Sequence, residues 1–192
     1  MLSFEVAVDS GQMSIVPFSD FLSTRYEQSG IYKVIEATPG DRICISVGYT
    51  DEGGWGERIS EISARVGKYD SNGSRVGSFT VPDNGKIVVS DPCYIMDGDF
   101  YGYEPGATGI PGYDAACHAS FGEAQAGMFS TGGGMGACSN SGIGDGCYPL
   151  RLSLDSNGKF VELTVDFFPK EWEDDHDEDE EHDDWSIMVI SK

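Results

Sequence analysis

The chain has 192 residues, and 33 Asp and Glu stand against 12 Lys and Arg, a formal net charge of −21. That balance excludes a direct nucleic-acid binder, since such a chain repels a phosphate backbone and no Lys/Arg cluster offsets the repulsion; it argues equally against anionic membrane surfaces. A hydrophobic fraction of 39% with 10 Phe, 9 Tyr and 3 Trp excludes general disorder, and the length fits one domain over residues 1–192.

Residues 1–6 carry neither a basic n-region nor an apolar h-region, and no run approaches ~18 apolar residues. The expected location is therefore the cytoplasm. The five cysteines, Cys44, Cys93, Cys117, Cys138 and Cys147, are odd in number and lack any C-x-x-C pair, which favours free thiols over a disulfide framework or a zinc site.

Along the chain the dominant pattern is period-two alternation broken by turn residues, the mark of antiparallel strands. Strands are expected at 4–8, 31–37, 42–49, 59–66, 75–81, 86–89, 148–154, 160–168 and 185–190, with short helices at 18–28 and 115–126. The tetrapeptide Asp-Ser-Asn-Gly occurs twice, as Asp70-Ser71-Asn72-Gly73 and Asp155-Ser156-Asn157-Gly158, each time between strand-like runs. Asn-Gly supplies the positive φ of a tight turn, so both read as hairpin tips, and Asn84-Gly85 as a third turn. A fainter echo links Asp9-Ser10-Gly11-Gln12-Met13-Ser14-Ile15 with Asp83-Asn84-Gly85-Lys86-Ile87-Val88-Val89; it is either an internal duplication or a chance likeness of two turn-plus-strand units. From 97 to 146 the texture becomes dense in Gly, Ala and Ser, which reads as a long loop. The fold class expected is mainly β, an antiparallel β-sandwich or barrel with one or two short helices and a long Gly-rich loop.

Eleven of the acidic residues lie between 171 and 184, and the remaining 22 still outnumber the 12 basic ones to leave −10. The apolar run from Trp185 places this tract between two strands, as a loop insertion. It reads as a solvated, self-repelling loop, as a docking surface for a basic protein, or as a weak metal attractor through His176 and His182. The docking reading rests on Glu171, Asp174, Asp175, Asp177, Glu178, Asp179, Glu180, Glu181, Asp183 and Asp184. No ligand spacing or turn glycine specifies a metal, so none is expected.

Two segments place an acid, a thiol and a phenol at a strand end: Ser90-Asp91-Pro92-Cys93-Tyr94 and Gly144-Asp145-Gly146-Cys147-Tyr148. Each Asp is either a turn former bonding nearby N–H groups or half of a shared pocket. In the second case Asp91, Tyr94, Asp145 and Tyr148, with Gly134 and Gly136 from the Gly-rich stretch, would bind a ligand. A cysteine hydrolase would draw on Cys93 or Cys147 with His118, oriented by Asp91 or Asp145. No G-x-S-x-G, H-E-x-x-H or P-loop is present. The Gly132-x-Gly134 cluster lacks the βαβ context of a dinucleotide site, and Asp97-Gly98-Asp99 fails as a calcium loop, so no cofactor is expected.

The run Gly85-Lys86-Ile87-Val88-Val89-Ser90-Asp91-Pro92-Cys93-Tyr94-Ile95, followed by Gly142-Ile143-Gly144-Asp145-Gly146-Cys147-Tyr148-Pro149-Leu150 and a strand pair ending Val165-Asp166-Phe167, resembles an uncharacterised family of small bacterial and phage proteins. The likeness covers about residues 85–168 and implies a phage or prophage context, with the host cytoplasm as location; it implies no activity. The acidic tract and the Gly132 to Gly136 run depart from that family. The leading expectation is a non-enzymatic binding protein whose acidic surface engages a basic host or virion protein, with mimicry of nucleic acid as its sharper form. Two alternatives remain open: a small-ligand binder or hydrolase built on Asp91/Cys93 and Asp145/Cys147, and a virion structural protein.

Overall fold

The protein's structure, a computed structural model, describes residues 1–17, 33–67, 70–81, 85–95, 111–130 and 134–169. The helix expected at 18–28, the strand at 185–190 and the acidic tract lie outside the described residues. The elements in chain order are β1 (Leu2–Ala7), β2 (Gln12–Pro17), β3 (Lys33–Glu36), β4 (Arg42–Asp51), β5 (Glu57–Arg65), β6 (Ser74–Val81), β7 (Lys86–Ser90), α1 (Pro92–Ile95), α2 (Pro111–Ser120), β8 (Ala126–Ser130), β9 (Met135–Asn140), β10 (Gly146–Leu154) and β11 (Phe160–Asp166). They form two antiparallel sheets, one ordered β1-β4-β5-β11-β10-β6 and the other β3-β2-β7-β9-β8. The mainly β sandwich expected from the alternation is what forms.

Alternation dictates the layers. In the six-stranded sheet Ile43, Ile45 and Val47 of β4, Ile62 and Ala64 of β5, and Leu163 and Val165 of β11 turn inward, while Glu61, Arg65 and Arg151 stay outside. They meet Met13, Ile15, Ile87, Val89 and Ala137 of the five-stranded sheet in one core. The second face of that sheet is covered too: Val16, Val88, Phe129 and Cys138 pack against Ala116 of α2. Burial on both faces is why β2 and β7 read as nearly unbroken apolar runs.

The two halves of the chain repeat one arrangement about a quasi-twofold axis. In the six-stranded sheet β1, β4 and β5 mirror β6, β10 and β11 in order, and in the other β2 and β3 correspond to β7 and β9. The axis passes through the pair Ile15/Val89 in one sheet and Ser63/Thr164 in the other. Registers agree: Gln12 faces Glu36 as Lys86 faces Asn140. So do single hydrogen bonds. Ala37 N–H donates to Gly11 O at 2.8 Å, and Ser141 N–H to Gly85 O at 2.8 Å; Phe167 N–H donates to Ser60 O at 2.8 Å, and Val66 N–H to Val161 O at 2.9 Å. The seven-residue echo is thus one part of a five-strand duplication, into which the second half inserts α1, α2 and β8.

Three expectations are corrected. Only Asp155-Ser156-Asn157-Gly158 is a hairpin tip; β5 and β6 do not pair, so Asp70-Ser71-Asn72-Gly73 belongs to a connection that crosses the end of the β10–β11 hairpin, with Asn72 N–H donating to Leu154 O at 2.8 Å. Asn84-Gly85 does not close a hairpin either, because β6 and β7 lie in different sheets and the chain changes sheet there. The stretch 97–146 is not a long loop: its described residues hold α2, β8 and β9, the helix beginning earlier than expected and ending at Ser120. Its small residues serve close packing. A Cβ on Gly127 would stand 2.5 Å from the Ala119 carbonyl oxygen of α2, and one on Gly136 2.5 Å from the Phe129 ring.

Candidate functional site at the strand ends

Asp91 follows β7 and is fully buried. One carboxylate oxygen accepts the N–H groups of Asp9 at 2.7 Å and Ser10 at 2.8 Å; the other accepts the Ser10 hydroxyl at 2.6 Å and the Cys93 N–H at 2.9 Å. Four donors fill the roughly four lone-pair sites of a carboxylate. Burial raises its pKa, but the hydrogen bonds from Ser10 and Cys93 outweigh burial and hold it below the usual carboxylate range. Asp91 therefore brackets the β1–β2 sheet crossing to α1, and no lone pair is left for a ligand.

Its neighbours are equally engaged. The Tyr94 hydroxyl donates to Asp9 Oδ2 and its ring covers Gly134, where any Cβ would overlap it. That hydrogen bond, ahead of burial, lifts the Tyr94 hydroxyl to about 12. The Cys93 sulfur is lifted to about 12 by the packing around it and then by the Asp91 and Asp9 carboxylates, although the residue reaches solvent. A thiol so protonated is no nucleophile at neutral pH.

The second segment is built differently. Tyr148 is a core residue: its ring is fully buried and meets Phe167 edge-on at 4.9 Å, while its hydroxyl donates to Gly144 O at 3.0 Å. Burial first, then the Asp145 charge, pushes that hydroxyl up, with Ser141 opposing. Asp145 itself is exposed. Cys147 lies exposed on the outer face of the six-stranded sheet, where Thr80 Oγ1 donates to its Sγ at 3.8 Å.

These segments do not share a pocket. Gly85, at the start of β7, touches Gly144, whereas Asp91 follows the other end of β7. Six extended residues put the two aspartates roughly 20 Å apart. His118 is on α2, beyond the five-stranded sheet, edge-on to Phe121 at 6.4 Å, so both sheets separate it from Cys147. Gly134 and Gly136 are packing positions beneath Tyr94 and Phe129. Among the described residues no group of three or more His, Cys, Asp or Glu converges to hold a metal ion, and no helix is long and apolar enough to cross a membrane.

Two features escaped the sequence reading. A cavity of about 350 Å³ lies where the two Asp-Ser-Asn-Gly segments meet, lined by Asn72, Arg75, Leu152 and Asp155 among others; the recurrence of that tetrapeptide was its only signal. The β4–β5 tip carries Trp55 on a 3-10 turn (Gly53–Trp55), 68% exposed between Asp51, Glu52 and Glu57. The tip shares its end of the sandwich with Asp145 and with the exit of β11, since Phe167 bonds Ser60 and Phe168 packs by Gly142. Glu171 is two residues, at most about 7 Å, beyond Pro169.

No protein-family model matches the chain, and neither a curated protein nor a solved structure matches it.

Proposed function

We propose that the protein acts by binding a basic protein partner through its acidic surface, without catalysis. The observation that carries this reading is the engagement of the reactive groups: the Asp91 carboxylate is saturated by four donors, and the Cys93 thiol is raised to about 12. With those groups committed to structure, the dominant chemical property left on the surface is a net charge of −21. A carboxylate-rich surface steers and orients a cationic partner, and the attraction is screened within about 8–10 Å at physiological salt. The tract 171–184 adds its carboxylates at the end that also shows Asp51, Glu52, Glu57 and Asp145. In this reading the protein is cytoplasmic and phage-encoded, its target is a basic host or virion protein, and carboxylates that stand in for phosphates would make DNA a competitor. The test is capture of partners at graded ionic strength with DNA as competitor. Release as salt rises, and displacement by DNA, are expected; a partner retained unchanged at high salt contradicts the reading.

A further inference from the structure

A singly exposed apolar side chain needs no explanation, but Trp55 coincides with three other observations. First, its turn is fixed. Gly53 N–H donates to Asp51 Oδ1 at 2.9 Å, Trp55 N–H to Glu52 O at 3.2 Å, Gly56 N–H to Gly53 O at 3.0 Å, and Glu52 N–H to Gly56 O at 3.1 Å. Gly53 and Gly56 hold φ of +61° and +72°, which a side chain resists. Second, the tip is braced against the segment between α2 and β8: Tyr49 donates its hydroxyl to Ala124 O at 2.6 Å, and Gln125 Nε2 donates to Glu57 O at 2.7 Å. That segment brings exposed Glu123 and the 66% exposed ring of Phe121 to the same end. Third, the carboxylates of Asp51, Glu52, Glu57, Glu123 and Asp145 outnumber Arg58 and Lys86 there, and Lys86 is already held by Ser120 at 2.8 Å and Asn140 at 2.6 Å.

We infer that this end of the sandwich docks an Arg- or Lys-bearing segment of the partner, with Trp55 stacking on a cationic side chain and Glu52 and Glu57 pairing with its neighbours. The proposal rests on the charge-driven reading above and gives it a place. A rigid indole ringed by carboxylates suits a cation in two ways: the ring face attracts it, by about 0.5–1 kcal/mol exposed and about 2 when desolvated, and the carboxylates accept its hydrogen bonds. Trp and Arg are also the residues most enriched in binding hot spots.

The test is fluorescence anisotropy of labelled octa-arginine titrated with the full chain. Trp55→Ala is expected to weaken binding on the order of tenfold, Trp55→Phe by less, and Glu52→Gln/Glu57→Gln by a similar amount. With Trp172→Phe and Trp185→Phe leaving Trp55 as the sole indole, its emission is expected to shift as peptide is added. If Trp55→Ala and Glu52→Gln/Glu57→Gln bind as tightly as the parent while neutralising residues 171–184 abolishes binding, the tip is not the docking site though the charge-driven reading stands. If the parent chain does not bind octa-arginine at all, both fall.

Discussion

Ser63 of β5 stands opposite Thr164 of β11, and the six-stranded sheet is arranged symmetrically about that pair. Because the same axis passes between Ile15 and Val89 in the facing sheet, each sheet crossing in the first half has a counterpart in the second. The halves differ mainly in what is inserted after β7, and it is there that Asp91 and Tyr94 tie the insertion to the β1–β2 turn.

Asp91→Ala strands four buried donors and is expected to lower stability by about 2–4 kcal/mol, whereas Asp145→Ala, at an exposed position, is expected to stay within about 0.5 kcal/mol. The acid limb follows in sign. The folded pKa of Asp91 lies below the unfolded value of about 3.9, so its contribution is complete above that value and is lost as pH falls through the folded one. Denaturant unfolding of both variants, with the parent followed from pH 7 to pH 2, checks this; equal costs for the two variants would show that the four hydrogen bonds do not hold the fold.

The five thiols are expected to separate by reactivity. With Cys93 at about 12, its thiolate fraction at neutral pH is on the order of a thousandfold below that of an ordinary thiol near 8.5. Buried Cys138, raised to about 11 by burial, is protected as well. Timed alkylation with peptide mapping should label exposed Cys44 and Cys147 first. Alkylation of Cys93 at the rate of a free thiol would contradict the geometry around Asp91 and reopen nucleophilic chemistry there.

Glycine substitutions distinguish packing from turn freedom. Gly127→Ala drives a methyl toward the Ala119 carbonyl and is expected to cost about 1–3 kcal/mol, while Gly54→Ala, with open space around it, is expected to change stability by less than about 0.5 kcal/mol. Thermal melts of the two variants read the difference. Equal melting temperatures would mean that α2 does not pack tightly on β8.

Glu61 faces Asp166 directly across β5 and β11, and its pKa is raised by burial, then by Asp166 and Glu162, against an opposing Arg151. A raised carboxyl costs stability above its folded value and is relieved by protonation below it. Glu61→Gln is therefore expected to stabilise the protein by about 0.2–1 kcal/mol at neutral pH, the gain disappearing in acid. Unfolding curves at two pH values test the sign; a loss at neutral pH refutes it.

Strand content and the sandwich could be read from sequence because alternation such as Ile43-Cys44-Ile45-Ser46-Val47 reports a half-buried sheet directly. Pairing could not. Asp70-Ser71-Asn72-Gly73 and Asp155-Ser156-Asn157-Gly158 are identical as turn signals, yet only the second joins paired neighbours, since topology is fixed by long-range contacts that no tetrapeptide carries. The glycines between 122 and 136 looked like loop residues because composition does not separate conformational freedom from close approach. Asp91 was rightly singled out, but its role as bracket depends on Asp9 and Ser10, 81 and 82 residues away in the chain. Trp55 gave no periodic signal, being a single residue on a glycine turn.

The most direct test of a charge-driven binding function is the salt dependence of affinity for a basic probe. Isothermal titration of the full chain with octa-arginine, repeated from about 50 to 500 mM monovalent salt, is expected to show at least a tenfold loss of affinity as the Debye length shrinks from about 14 to 4 Å. Affinity that stays constant across that range, or no binding at the lowest salt, would contradict the account.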